Sequence, residues 1–110
     1  MNALPVATAP AALESQTWTA YRGESNDVTF AIGGVFDGAS AWDLRHAIES
    51  VESGASQVVL DFSRVREFYD FGVAVLAHAL AERDAARPVI ALKGLRTHQA
   101  RMFRYFGVAA

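Results

Sequence analysis

Hydrophobic and polar residues alternate in two short segments near the start of the chain, residues 17–22 and 27–32. In the second segment Val28, Phe30 and Ile32 fall on one side. A two-residue period is typical of a strand with one buried face. Residues 23–26 consist of Gly, Glu, Ser and Asn, which favour a turn. The pattern therefore predicts a β-hairpin, which ends where the glycine-rich segment 33–38 interrupts the alternation.

The next apolar positions repeat at the spacing of a helix. Ser40 is expected to cap this helix, with Asp43 three residues on completing a pair that resembles a capping box. Gly54 is a suitable end point. The apolar stripe that predicts the helix comprises Leu44, Ala47, Ile48 and Val51.

The second half of the chain alternates apolar runs with helical patterns. Residues 57–60 and 89–92 are nearly continuous apolar runs, which suit strands covered on both faces. Residues 62–68 are predicted as a connection and residues 70–85 as a helix. A last helix is expected from Thr97 to Gly107. Its inward residues are predicted to be Met102, Phe103 and Phe106.

The order of predicted elements is β-β-α-β-α-β-α. Alternating strands and helices imply right-handed crossovers and parallel strands, to which the hairpin adds an antiparallel pair. We therefore predict an α/β fold, with a mixed, mostly parallel sheet of about four strands and three helices packed on it. The 110 residues favour one domain over residues 16–110, and the Ala- and Pro-rich residues 1–15 are expected to be a flexible leader.

Composition and charge limit the classes of function that this chain can have. The net charge is -2 and Lys93 is the only lysine, which argues against nucleic-acid binding. There are no cysteines, so disulfides, thiolate metal sites and a cysteine nucleophile are excluded. No Lys or Arg precedes Arg22, so the charged start of a signal peptide is missing. The apolar stretch 71–80 is about half the ~20 residues that a membrane span needs. We expect a soluble, cytoplasmic protein with no direct membrane insertion.

The residues that usually carry chemistry are scattered. His46, His78 and His98 fall on three different predicted helices, without metal-ligand spacing. The glycines form no phosphate-binding loop, and there is no Gly-x-Ser-x-Gly elbow. We therefore expect no enzymatic activity, no metal and no cofactor.

One segment carries a recognisable signature. Residues 59–76 resemble, without a gap, the STAS-domain signature V-L-D-L-S-G-V-T-F-I-D-S-S-G-L-G-V-L of the anti-sigma factor antagonist family. Residues 34–37 resemble the family's G-x-L-D, and residues 92–94 and 106–108 resemble its last strand and helix. The resemblance covers about residues 17–108. The identical positions in the signature are Val59, Leu60, Asp61, Ser63, Val65, Gly72, Val75 and Leu76.

The resemblance implies a non-enzymatic regulatory module of bacterial signalling and regulation of transcription, which acts by protein–protein interaction. In the antagonist branch, a serine after the family aspartate is phosphorylated by a partner kinase that is also the anti-sigma factor. Here Tyr69 replaces that aspartate and Asp70 replaces that serine. We therefore expect binding to another protein, with a serine-kinase-type anti-sigma factor as a candidate, without a phosphorylation switch at this position. A homodimer stays open.

The site implied by the resemblance comprises Tyr69, Asp70, Phe71, Gly72 and Asp37. Asp70 has two interpretations: a helix N-cap, or a partial mimic of phosphoserine with a smaller charge. Tyr69 and Phe71 are candidate aromatic anchors, one expected inward and the other outward. Asp37 either shapes the interaction surface or forms the turn before Ser40.

Other functions remain open. STAS proteins without the serine also serve as accessory subunits of larger assemblies, such as stress-signalling complexes or lipid-transport ABC systems. A different class is a receiver-like phosphoacceptor domain at Asp61, which ends a predicted strand. Receivers need an acidic pair for Mg²⁺ after the first strand, and here Glu24 stands alone. Nucleotide binding is disfavoured because no phosphate loop is present.

Overall fold

The computed structural model describes residues 17–110, and their elements follow the predicted order. The predicted leader at residues 1–15 lies outside the described residues. The elements are β1 (Trp18–Arg22), β2 (Asp27–Phe36), α1 (Gly38–Val51), β3 (Gln57–Phe68), α2 (Asp70–Ala81), β4 (Val89–Lys93) and α3 (Thr97–Tyr105).

The four strands form one sheet in the order β1-β2-β3-β4. β1 pairs antiparallel with β2, with Trp18 opposite Ile32, as expected for a hairpin. β2 and β3 are parallel, as are β3 and β4, so that Phe30, Leu60 and Leu92 lie side by side across the sheet. The predicted α/β fold with a mixed, mostly parallel sheet and three helices is confirmed.

One face of the sheet carries the core. Val28 and Phe30 are buried, whereas Thr29 between them is only half-buried. Residues of all three helices belong to the same apolar cluster as the buried strand residues. The prediction that runs 57–60 and 89–92 are covered on both faces is therefore wrong, because Val59 is half-buried and Val89 on the edge strand is 67% exposed. Apolar composition alone does not distinguish a strand covered on one face from one covered on both.

β2 and β3 are longer than their patterns predict. The glycine-rich segment and the predicted connection 62–68 pair with each other, with Gly33 opposite Arg64 and Phe36 opposite Phe68. The register shifts between Ala31 and Gly33 and again at Gly34. Such bulges shift the alternation of side chains, which hides a strand from a pattern with a strict two-residue period. α2 ends at Ala81, four residues before the predicted end at residue 85.

Aromatic rings hold the ends of β2 and β3 together. The ring of Phe62 lies 5.2 Å from that of Phe36 and 5.6 Å from that of Phe103 in α3, both in edge-to-face contact. The ring of Phe68 also contacts Phe103, with centroids 5.9 Å apart. Edge-to-face geometry is favourable for aromatic pairs. These contacts pack α3 against the ends of β2 and β3, next to the junction between β3 and α2. Phe106, which was predicted to point inward, is instead 40% exposed beyond the end of α3.

A buried carboxylate joins α1 to the segment after α2. Glu52 follows the last turn of α1 and is only 5% exposed. Its Oε2 accepts a hydrogen bond from Nη1 of Arg87 at 2.5 Å, and its Oε1 lies 2.8 Å from Nη2 of Arg83. The contact with Arg83 is an ion pair without hydrogen-bond geometry. Two positive charges therefore compensate one buried negative charge.

Candidate protein-docking surface at the start of helix α2

The start of α1 is held by a capping box that lies three residues earlier than predicted. Asp37 is the N-cap: its Oδ1 accepts a hydrogen bond from the Ser40 backbone N–H at 3.0 Å. The Asp37 backbone N–H donates in return to Ser40 Oγ at 2.8 Å. The predicted pair of Ser40 and Asp43 is therefore wrong, and Asp43 instead accepts from Trp18 Nε1 at 3.2 Å. Ser40 and Asp37 are both suitable residue types for an N-cap, and the backbone conformation places Asp37 at the cap.

The start of α2 sits directly beside the start of α1. The Tyr69 backbone N–H donates to the Phe36 carbonyl oxygen at 2.9 Å, which extends the pairing of β2 and β3 to the helix. Tyr69 occupies the N-cap position without a capping side-chain bond, and Asp70 is the first helical residue. The interpretation of Asp70 as the N-cap is therefore wrong. Its carboxylate still lies in the first turn, where it meets the positive end of the helix dipole.

Tyr69 and Phe71 both face solvent. Tyr69 is 49% exposed and Phe71 is 68% exposed, so the expectation that one of them packs inward is wrong. The Tyr69 hydroxyl donates to Glu67 Oε1 at 3.0 Å. This hydrogen bond and the charge of Glu67 raise the pKa of Tyr69 above its ordinary value. The hydrogen bond links the Tyr69 side chain to Glu67 near the end of β3.

Two glycines bring the helix starts into close contact. Gly72 is buried, and a Cβ at this position would lie 2.8 Å from the Asp37 carbonyl oxygen and 2.9 Å from its carbonyl carbon. At Gly38 a Cβ would lie 2.7 Å from Cε2 of Phe71 and would also overlap Cδ2. The absence of a side chain at Gly72 therefore lets α2 approach the α1 backbone, and its absence at Gly38 leaves room for the Phe71 ring. Asp37 and Gly72, predicted as site residues, are brought together with Phe71 through these contacts.

Exposed aromatic side chains gather around the start of α2. We call the five that flank it the aromatic docking surface; the sixth large exposed hydrophobic residue of the described chain, Val89, lies on β4. A groove of about 220 Å³ between α1 and α2 is lined by Trp42 and Phe71, and one of about 340 Å³ between α2 and α3 by Asp70 and Tyr105. The aromatic docking surface comprises Trp42, Tyr69, Phe71, Tyr105 and Phe106.

Sequence reasoning missed Trp42 and Tyr105 as surface residues. Trp42 lies outside the apolar stripe of α1, which was a usable signal, because a tryptophan off the buried face of a helix is exposed. The Arg45 guanidinium lies over the Trp42 ring, with its central carbon 5.3 Å from the ring centroid. The sequence could not predict that Trp42 and Tyr105 both lie beside α2, because this depends on how α1 and α3 pack against α2.

Asp61 belongs to a different environment. Partial burial acts to raise its pKa, but hydrogen bonds from Ser63 and the charges of Lys93 and Arg64 outweigh it, so the net pKa is lowered. Its Oδ1 accepts a hydrogen bond from the Ser63 backbone N–H at 3.0 Å. A Cβ at Gly94 would lie only 2.7 Å from the same oxygen. Within residues 17–110, no group of three or more His, Cys, Asp or Glu side chains is placed to hold a metal ion. The receiver-like function stays a prediction.

The acid stability of α1 should depend on Asp37. Hydrogen bonds from the Ser40 backbone and hydroxyl lower the pKa of Asp37 below its ordinary value of 3.8. A carboxylate with a lowered folded pKa stabilises the fold fully above the unfolded value, and this contribution is lost as the pH falls through the folded value. Thermal unfolding of wild type and Asp37→Asn between pH 7 and pH 2 should therefore show a stability difference that shrinks below about pH 4. A difference that stays constant over this range would contradict it, and Ser40→Ala should reduce the pH dependence.

The fold and the site together define a class of protein. A β-hairpin leading into a parallel sheet, with an exposed junction between β3 and α2, is the arrangement of a STAS domain. The chain belongs to the STAS domain family: the matching family model covers residues 19–110. Its description is "Mlab, STAS domain". No curated protein matches the chain.

Solved structures share this fold. The anti-sigma factor antagonist SpoIIAA in its unphosphorylated form matches with a TM-score of 0.65 and 15% identity, over 82% of this chain and 80% of that one. A serine-to-glutamate variant of RsbS from Moorella thermoacetica matches with a TM-score of 0.60 and 18% identity, over 86% and 80%. The structure of Mglu matches with a TM-score of 0.60 and 22% identity, over 71% of this chain. The chain spans only 19% of that protein's length.

No helix within residues 17–110 is long and apolar enough to cross a membrane.

Proposed function

We propose that this STAS domain is a non-enzymatic regulatory module that binds another protein through the aromatic docking surface. The observation that carries the proposal is the gathering of five of the six large exposed hydrophobic residues in the described chain around the start of α2. Exposed aromatic clusters beside grooves are typical of protein interfaces, where aromatic side chains act as anchors. Tyr69, Asp70 and Phe71 form the centre of this surface, and Gly72 and Asp37 hold the two helix starts beneath it.

The binding is not switched by phosphorylation at the usual position. Asp70 stands where the family serine would be, and it carries no hydroxyl to phosphorylate. The position therefore has a permanent charge of about -1, less than the -1.5 to -2 of a phosphoserine. A partner must accept this carboxylate in every state of the protein. Regulation, where it occurs, acts on the partner or on the amount of complex.

Two kinds of partner are consistent with this surface. A serine-kinase-type anti-sigma factor is supported by the likeness of the fold to SpoIIAA. The second kind is another subunit of a larger assembly, such as a stress-signalling complex or a lipid-transport ABC system, in which this domain would be the STAS accessory subunit; the family description "Mlab, STAS domain" is consistent with this role. In both cases the module is cytoplasmic, binds neither nucleic acid nor cofactor, and needs no membrane segment of its own. The same binding assay also detects whether the domain binds a second copy of itself and forms a homodimer.

Removing the Phe71 ring should weaken partner binding by about tenfold or more, because truncating a central aromatic anchor typically costs at least 1–2 kcal/mol of binding free energy. The measurement is a titration of purified wild type and Phe71→Ala against kinase-type anti-sigma factors and ABC ATPase subunits encoded beside the gene. Val89→Ala is the matched control, since Val89 is as exposed as Phe71 but lies on β4.

Equal affinity of wild type and Phe71→Ala for a partner that binds the domain would overturn the proposed surface. Asp70→Ser separates the two kinds of partner. A kinase-type anti-sigma factor should phosphorylate this variant on the new serine and not the wild type, whereas an accessory-subunit partner should bind both without transfer of phosphate.

A further inference from the structure

The Phe71 ring is exposed to solvent on one side and seated on a helix on the other. Although Phe71 is 68% exposed, the Cδ2–Cε2 edge of its ring lies against Gly38, the first residue of α1. Any Cβ at position 38 would overlap Cδ2 of the ring and lie 2.7 Å from Cε2. Real Cβ atoms do not approach so closely, so a side chain at position 38 and the observed ring position exclude each other.

The backbone of α1 does not require glycine at this position. The glycines with positive φ are Gly34, Gly54, Gly94 and Gly107, and Gly38 is not among them. At a helical position alanine is the better helix former. The atoms that a Cβ would meet all belong to Phe71, in contrast to Gly72, where they belong to the Asp37 backbone. Glycine at position 38 is therefore explained by the ring that it seats.

We propose that Gly38 is a positioning residue of the docking surface, which seats the Phe71 ring and preorganises it as an anchor for an apolar side chain of a partner protein. The proposal rests on the proposed function of this surface. The Cδ2–Cε2 edge of the ring lies against Gly38, and Phe71 also lines the groove between α1 and α2, beside Trp42 and Val75. An exposed aromatic side chain that is already held in one orientation loses less conformational freedom on binding.

The seat is measurable in the free protein. In wild type, NMR should show NOEs between the Phe71 ring and the Gly38 α protons, together with a ring-current shift of those protons. In Gly38→Ala the ring should move, with shifts at the Val75 methyls and averaged χ1 couplings at Phe71. Thermal stability should be unchanged or slightly raised, because the displaced ring is exposed and alanine favours the helix.

Binding is tested with defined peptides from a phage-displayed library, selected on wild type and counter-selected on Phe71→Ala. Fluorescence polarisation should show that Gly38→Ala weakens these peptides by about three- to tenfold, as expected for a lost preorganisation of one side chain. In a Phe71→Ala background the same substitution should have no further effect. Gly23→Ala is the matched control, because a Cβ there meets nothing nearer than 3.9 Å.

The outcomes separate the two proposals. If Phe71→Ala abolishes binding while Gly38→Ala leaves both affinity and ring position unchanged, the positioning role is wrong and the docking surface stands. If Gly38→Ala weakens binding equally with and without the Phe71 ring, its effect does not pass through the ring and the positioning role is again wrong. If no selected peptide depends on Phe71, the docking surface fails, and the preorganised anchor fails with it, even where NMR detects the seat.

Discussion

Replacing Glu52 by alanine should lower the free energy of unfolding by about 3 kcal/mol, the lower end of the range for breaking a buried ion pair. Glu52 is 5% exposed and compensates the guanidinium groups of Arg83 and Arg87. Its removal leaves Arg83, whose side chain is only 16% exposed, without a counter-ion. Arg87 is 47% exposed and can turn into water, which keeps the expected loss near the lower end.

Urea denaturation at pH 7 measures this loss. Glu49→Ala is the matched control, because Glu49 lies one turn earlier on α1, pairs with Arg45 at 3.6 Å, and is 45% exposed. Exposed ion pairs of this kind contribute about 0.5 kcal/mol or less. A loss of equal size in the two variants would show that the Glu52 cluster does not connect α1 to the segment after α2.

Replacing Gly72 by alanine should destabilise the domain by about 2 kcal/mol and weaken partner binding at the same time. The new Cβ would lie 2.8 Å from the Asp37 carbonyl oxygen and 2.9 Å from its carbonyl carbon, and these backbone atoms cannot rotate away. Overpacking of this kind typically costs 1–3 kcal/mol, which outweighs the better helix propensity of alanine. The start of α2, with Tyr69 and Phe71, should shift away from α1 as a result.

The loss is measured by thermal and urea unfolding, and the shift by backbone amide NMR of residues 37–42 and 69–75. Gly23→Ala should leave both unchanged, because its position is open. Wild-type stability in Gly72→Ala, together with unshifted amides, would mean that the contact between the two helix starts is looser than the structure shows.

Much of the fold follows from local patterns, and each difference from the prediction has its own physical reason. The hairpin, the apolar stripe of α1 and the order of the later elements agree with the structure. The ends of β2 and β3 were missed because two register shifts break the alternation after Ala31. The cap of α1 was assigned to Ser40 because a capping box reads almost the same when displaced by three residues; Asp37 holds that role.

The candidate site, like the fold, follows only in part from the sequence. The sequence by itself determined that the chain resembles a STAS domain and that Asp70 stands where the family serine would be, because these depend only on the order of residues. It also placed Tyr69 and Phe71 at a strand-to-helix junction, though not their shared exposure.

Only the tertiary structure decided what surrounds that junction. Trp42, Phe71 and Tyr105 lie on three different helices, and no local pattern relates residues 29 or 34 positions apart. The burial of Glu52 and the seat of the Phe71 ring on Gly38 likewise depend on how α2 packs against its neighbours. Packing of distant segments, and not local propensity, sets these contacts, because close-packed interiors allow a side chain only where its neighbours leave space.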